Sequence, residues 1–320
     1  MRRLVLGFPG QGSQKHGMGR ALALKYPTSA GRVFDEANST LGGLFTNLVW
    51  TTQEQAEMHQ TQNSQPIVLA TSIALLAALR ERHGFEISLE NSKYVLGHSL
   101  GEYSALVAAG SVSLKDALLL VRRRGELMQE ACRVWGKTPS MCAVVNLTWD
   151  QALEIQNAAP VGLVCEAAND NGKEQVVLSG CEEGIAWGIS RAKQVHGARR
   201  AIKIKGVSCP FHSSVMKSAA ELFAPELAKV KFARPVVPII LGETALPTTE
   251  VKDISAGLVR GIYSPVRWSS CLQRAKLEDV VEFKEIGGST LRFGLDEWKH
   301  VGSPVRPDQV EDIESFTNPC

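Results

Sequence analysis

The pentapeptide Gly97-His98-Ser99-Leu100-Gly101 constrains this chain most, because it lies between an apolar run, Tyr94-Val95-Leu96, and a helix-like stretch from Glu102 to Ala109 closed by Gly110. A Gly-x-Ser-x-Gly turn in that context is a nucleophile elbow. The serine occupies a strained corner between strand and helix, and flanking glycines avoid collisions that a Cβ would make with neighbouring backbone. The elbow lifts the Ser99 hydroxyl out of a packed sheet and leaves the Leu100 N–H at a helix N-terminus, where developing negative charge is stabilised. A second strand-loop-helix junction precedes it. Phe8-Pro9-Gly10-Gln11-Gly12-Ser13-Gln14 follows the strand Leu4-Val5-Leu6 and leads into a helix predicted through Ala21 to Tyr26. That loop is the natural source of the second oxyanion N–H, assigned to Gln11.

Composition sets limits on class. A chain of 320 residues exceeds the usual size of a single core, so an insertion or a second domain is expected. With 44% hydrophobic and 21% charged residues it reads as an ordinary globular protein. A formal charge of +2, with scattered basic residues, gives no nucleic-acid footprint. The seven cysteines, at 132, 142, 165, 181, 209, 271 and 320, show no Cys-x-x-Cys spacing, so neither a disulfide framework nor a metal site is expected. They fit a reducing intracellular compartment, cytoplasm or mitochondrial matrix. No apolar run is long enough to cross a membrane, and with the first strand expected almost at Met1 no signal or transit peptide is expected within this sequence.

From Arg3 to about Thr138 strands and helices alternate, with a long apolar helix over Pro66 to Arg82, which predicts an α/β-hydrolase-like large domain with a parallel sheet. The pattern then changes. Strand Met141–Leu147, helix Asp150–Ala158, strands Gly162–Ala167 and Gln175–Ser179, helix Glu182–His196 and strand Arg200–Ile204 follow in the order βαββαβ. That order predicts an inserted ferredoxin-like subdomain over 139–206, with the large domain formed by 1–138 and 207–320. The tail from Gly302 to Cys320, holding three prolines and several acids, reads as extended or loosely packed.

Ser99 needs a base, and seven histidines are available. His98 leaves its strand opposite to the nucleophile and reads as a packing residue. His16, His59, His83, His196 and His300 lie in polar or helix-end contexts, whereas His212 follows Cys209-Pro210-Phe211 where the chain re-enters the large domain. Arg124 stands out on a helix predicted from Asp116 to about Glu130. Ala117, Val121, Arg124 and Met128 recur at helical spacing, so this arginine falls within the apolar face, while Arg122 and Arg123 point away as solvated charges. An inward arginine needs a carboxylate, since an unpaired buried charge costs several kcal/mol. The partner is either an internal acid or the free carboxylate of a substrate, which a guanidinium grips in bidentate fashion.

Taken together, the motifs resemble malonyl-CoA:acyl carrier protein transacylases. The likeness covers Phe8 to Gln14 with Gly17-Met18-Gly19, Gly97 to Gly110, Arg124-Gly125 with Met128-Gln129, Asn169 and Asn171, Gln175 to Gly180, Phe211-His212 and Ser264-Pro265-Val266-Arg267-Trp268. Acyltransferase domains of polyketide and fatty acid synthases share this set. The resemblance implies a catalytic dyad of Ser99 and His212, a malonate-binding role for Arg124, and a preference for unbranched malonyl from Phe211. It also places Asn169, Asn171 and Gln175 along the thioester cleft. In the family a backbone carbonyl, at a position usually held by glutamine, fixes the histidine tautomer; Gly261 stands there in this chain. Asp116, Asp150 and Asp170, the acids lying between Ser99 and His212 that could complete a triad, are better read as caps or loop acids. The implied reaction is ping-pong transfer from malonyl-CoA to the phosphopantetheine thiol of acyl carrier protein, for fatty acid synthesis, by a monomer without metal or cofactor. A trans-acting polyketide synthase acyltransferase, a serine thioesterase or esterase, and a carrier-docking module are the alternatives.

Overall fold

The computed structural model describes residues 3–51, 56–172, 175–276, 281–291, 293–295 and 298–317. In chain order its strands and α-helices are β1 (Arg3–Phe8), α1 (Arg20–Lys25), α2 (Arg32–Thr40), α3 (Thr61–His83), β2 (Ser92–Gly97), α4 (Gly101–Ala108), α5 (Leu114–Trp135), β3 (Pro139–Val145), α6 (Trp149–Asn157), β4 (Cys165–Gly172), β5 (Gln175–Cys181), α7 (Glu182–His196) and β6 (Arg200–Lys203). They continue with α8 (Lys217–Ala228), β7 (Ile239–Ile240), β8 (Pro247–Thr248), α9 (Val251–Arg260), α10 (Trp268–Lys276), β9 (Val281–Glu285) and α11 (Glu311–Glu314).

Two sheets organise these elements. The larger has the order β8-β7-β2-β1-β9 and is parallel except for the short β7–β8 pair at its edge. Both of its faces are covered, as a parallel sheet requires. Leu4, Leu6 and Phe8 pack with α3, α4 and α5 on one face, and Val5 and Leu96 pack with Trp268, Leu272 and Phe283 on the other. The alternation along β1 therefore divides one strand between two cores. Because β1 and β2 are adjacent and parallel, their carboxyl ends open side by side, and the Phe8 carbonyl accepts from the His98 N–H at 3.0 Å. A ligand crevice lies outside such strand ends in open α/β sheets.

The smaller sheet, built by residues 139–203, is antiparallel in the order β4-β5-β3-β6, with α6 and α7 packed over its core. Its element order is the βαββαβ expected from the sequence. Among its links to the larger part, Val266 donates to Ala168 and accepts from the Asp170 N–H, both at 2.9 Å, and Glu166 accepts from the Ser214 N–H at 2.9 Å.

Three expectations change. The second strand of the small sheet, expected over Gly162–Ala167, runs over Cys165–Gly172, through an Asn-Asp-Asn-Gly sequence whose residues favour turns, with irregular pairing at Ala167/Asn169 and Asp170/Gly172. Pairing with both β5 and Val266 overrides the local turn preference. The tail is packed, not loose: Val305, Ile313 and Phe316 are buried, and Glu314 receives Tyr26 and pairs with Lys25 and Arg82. Cys320 lies outside the described residues. Arg122 is half-buried and donates to Asn63 on α3, so it is not a plain solvated charge.

Candidate active site

The site forms where four backbone segments converge on the carboxyl ends of β1 and β2. The elbow holds Ser99 at a φ of 53°, a left-handed conformation that costs a non-glycine residue on the order of 1–3 kcal/mol and persists only where packing imposes it. The flanking glycines impose it. A Cβ on Gly97 would collide with the backbone of Gly101 and Glu102, and one on Gly101 with the Phe8 carbonyl. His212 is held the same way, at a φ of 56°, in a loop pinned by Cys209 donating to the Met128 carbonyl of α5 and by the Ser213 hydroxyl donating to Pro210.

Ser99 and His212 meet. His212 Nε2 lies 2.8 Å from Ser99 Oγ, and Nδ1 lies 3.1 Å from the Ser264 carbonyl oxygen. A carbonyl can only accept, so Nδ1 carries the proton and Nε2 presents its lone pair to the serine hydroxyl. Burial, then the Arg124 charge and then His98, lower the His212 pKa from its ordinary 6.5 to about 3, opposed by the backbone carbonyls of Ser264 and Gly261. The imidazole is neutral and oriented as a base. The carbonyl at hydrogen-bond distance is that of Ser264, three residues beyond the expected Gly261, whose own carbonyl acts on the ring more weakly. Gly261 caps the last turn of α9 and donates its own N–H to Gly257, and its carbonyl supplies only a secondary pull on the ring. No carboxylate contacts Nδ1 among the described residues. Asp116 sits in the first turn of α5 against its Ser113 cap, Asp150 in the first turn of α6, and Asp170 accepts from the Gly172 N–H.

Arg124 reaches the same point from α5. Only 4% exposed, it donates through Nη1 to Gln65 Oε1 at 2.8 Å and through Nη2 to Ser99 Oγ at 3.3 Å, and the Tyr103 ring lies 5.7 Å from its guanidinium carbon. Its buried Nε has no hydrogen-bond partner among the described residues. The edge formed by Nε and Nη2, the side-on fork that grips a carboxylate, carries only the long serine bond. No Asp or Glu forms an ion pair with it among the described residues. The acid whose charge acts on it is Glu102, whose carboxyl is pushed up to about 7 by burial while accepting from the Gly242 N–H at 2.6 Å. Of the two partners left open by the sequence, the internal acid is absent at contact distance.

These groups face a cavity of about 440 Å³ whose walls include Gln11, Leu100, Asn169, Asn171 and Phe211. The backbone N–H groups of Gln11 and Leu100 donate to no protein acceptor among the described residues. Asn171 Oδ1 lies 3.4 Å from His98 Nε2, and its Nδ2 donates to Gln175 Oε1 at 3.1 Å, so Gln175 stands behind Asn171 and off the cavity wall. His98, read from the sequence as a packing residue, does pack against Trp268 and Phe293 but also lines the cavity. Burial lowers its pKa to about 4. Sequence reasoning missed Gln65, Thr61 and Glu102. The polar run Gln60-Thr61-Gln62-Asn63-Ser64-Gln65 at the head of an otherwise apolar helix was the available signal.

The sequence profile of the acyl transferase domain family matches residues 6–285. The malonyl CoA-acyl carrier protein transacylase of Bacillus subtilis is 38% identical over 317 residues, 99% of this chain and 96% of that protein. The chain belongs to this transacylase family. Solved structures agree with the assignment. The acyl-carrier-protein-S-malonyltransferase of Bartonella henselae superposes with a TM-score of 0.88 at 33% identity, covering 98% of this chain and 97% of that one. A malonyl-transacylase solved in complex with its type II polyketide acyl carrier protein superposes equally well, with a TM-score of 0.88 at 31% identity and 98% coverage of both chains. The acyl transferase domain profile spans all the cavity residues named above, so the site is assembled from the shared part of the chain.

Proposed function

We infer that the chain moves a malonyl group from malonyl-CoA to the phosphopantetheine thiol of acyl carrier protein through an acyl-Ser99 intermediate, supplying fatty acid synthesis. The observation that carries the choice of acyl group is Arg124: a buried cation beside the nucleophile, with no internal acid in contact and its bidentate edge turned to the serine. In malonyl the carboxylate carbon lies two bonds from the thioester carbonyl carbon, so an acyl group esterified to Ser99 brings that carboxylate within reach of the guanidinium.

Transfer proceeds in two matched halves. Ser99 Oγ attacks the thioester carbon while its proton passes to His212 Nε2, and the carbonyl electron pair moves onto oxygen, where the Gln11 and Leu100 N–H groups receive it. Collapse of the tetrahedral species breaks the carbon–sulfur bond, and the CoA thiolate takes the proton from Nε2. The carrier thiol then repeats the sequence in reverse, giving its proton to Nε2 as its sulfur attacks the ester; the proton returns to Ser99 Oγ. The Ser264 carbonyl stabilises the imidazolium formed in each half. Phe211 beside the base leaves little room for a branch at the acyl α-carbon.

Incubation with radiolabelled malonyl-CoA tests this reading. Wild type is expected to form a stable acyl-protein that discharges to holo acyl carrier protein, and Ser99→Ala to form none. Rapid release of free malonate instead would identify a hydrolase, and labelling of Ser99→Ala would remove the nucleophile assignment.

A further inference from the structure

Behind the reacting atoms a line of buried polar side chains joins two parts of the site that the chemistry uses separately. Arg124 Nη1 donates to Gln65 Oε1 at 2.8 Å, Gln65 Nε2 donates to Thr61 Oγ1 at 2.7 Å, and Thr61 Oγ1 donates to Gln11 Oε1 at 2.6 Å. The guanidinium determines the direction of the first two links. A guanidinium has only donors, so Gln65 must turn its carbonyl to Arg124 and its amide to Thr61. Thr61 then accepts from that amide and gives its own proton to Gln11. The run begins at a cation and ends on the loop that carries an oxyanion N–H, and successive bonds in a low-dielectric interior polarise one another in the same sense. Gln65 is 1% exposed and Thr61 0%, and neither borders the cavity.

We propose that Gln65 and Thr61 are positioning residues that hold the Arg124 guanidinium and the Gln11 loop as one unit, so that the carboxylate receptor and the oxyanion donors are spaced for the same bound acyl group. This rests on the reading of Arg124 as the malonyl receptor. Gln65 fixes one end of the guanidinium, Nη1, and Tyr103 lies alongside it, so the remaining Nε–Nη2 edge is presented in a single orientation. A flexible arginine without that anchor would spread over several rotamers, and a bidentate grip depends on one geometry. One turn of α3 separates Thr61 from Gln65, so a rigid helix segment sets the spacing between receptor and loop.

The test compares malonyl-CoA and acetyl-CoA in steady-state transfer for Gln65→Glu, Gln65→Asn, Thr61→Val and Arg124→Ala, with thermal melting of each. Gln65→Glu keeps the shape but puts a second carboxylate on Arg124, so malonyl kcat/KM is expected to fall about tenfold or more while acetyl transfer stays within about threefold. Gln65→Asn, one methylene too short to reach, is expected to shift the ratio in the same direction with less charge effect. Thr61→Val removes the last link and is expected to lower kcat for both substrates alike with KM nearly unchanged. An unaltered malonyl-to-acetyl ratio in both Gln65 variants, while Arg124→Ala collapses it, overturns the positioning role and leaves the receptor intact. Losses that follow melting temperature equally for both substrates overturn it as well. If Arg124→Ala itself leaves the ratio unchanged, the receptor reading and this inference fall together.

Discussion

At the residue scale the base is the group whose state can be read most directly. His212 serves only while neutral, so a pKa lowered by burial, Arg124 and His98 displaces its acid limb far below the ordinary histidine value. With acetyl-CoA, which lacks the carboxylate, kcat/KM should run level from pH 8 to about 5, since this ratio reports ionisations of the free enzyme. Arg124→Ala removes the second largest cause of the lowering, and its acid limb should move to higher pH. Glu102 also titrates in this window, and repeating the profile in Glu102→Gln separates its contribution. A wild-type limb near 6.5 that is unaffected by Arg124→Ala would contradict the electrostatic account. Single residues were also where the sequence was most informative. Ser99, Arg124 and Phe211 stand on the cavity because elbow sequence, helical periodicity and motif order each fix a side chain locally. The Ser264 carbonyl, which acts on His212 ahead of the expected Gly261 carbonyl, was not foreseen because backbone acceptors leave no side-chain signature.

At the scale of elements, the approach of α3 to α5 sets the geometry of the receptor. Gly125, the neighbour of Arg124, faces the backbone of α3 so closely that an added Cβ would lie 2.5 Å from the Gln62 Cα. Backbone cannot yield as a side-chain tip can, so Gly125→Ala must push the helices apart at the level where Gln65 anchors Arg124. A loss of about 1–3 kcal/mol of stability is expected, the usual range for overpacking, together with a fall in malonyl transfer larger than in acetyl transfer. Chemical denaturation and the two-substrate assay check both parts; a neutral effect on each would show that the interface has slack. Element ends were less legible than element types. Helix α5 extends over Leu114–Trp135, beyond the expected Asp116 to Glu130, although Ser113 as cap and Gly136 in a left-handed conformation mark both ends. Strand β4 was cut short because Asn-Asp-Asn-Gly favours turns when local preferences act alone. Here Asn171 spends its amide on His98 and Gln175, not on its own backbone.

For the whole molecule, the buried histidines tie stability to pH. His98 and His212 have pKa values of about 4 and 3 in the fold against an ordinary 6.5, so as pH falls below 6.5 the unfolded chain takes up protons that the fold refuses. Their contribution is fully present above 6.5 and is lost progressively towards 4. Glu102 works in the opposite sense. Its carboxyl, raised from 4.5 to about 7, favours the fold below 4.5 and loses that contribution as pH rises through 7. Between 6.5 and 4.5 two histidines oppose one acid, so the melting temperature should drop on acidification from pH 7 to 5, and His98→Gln should flatten the slope. An unchanged slope in that variant would remove His98 from the account. At this scale the sequence conveyed the parallel sheet of the large part and the βαββαβ element order but not the packed tail. Its prolines and acids resemble those of a solvated segment until the basic residues awaiting them on α1 and α3 are known.

The segment around Val266 gives the molecule its mechanical logic. Val266 is stitched to the small sheet through Ala168 and Asp170, and Ser264, two residues earlier, steers the imidazole. The cleft's far wall and the base's proton acceptor therefore meet in one stretch of backbone. The same few residues of backbone set both the position of the small sheet over the cleft and the direction in which the imidazole lone pair points.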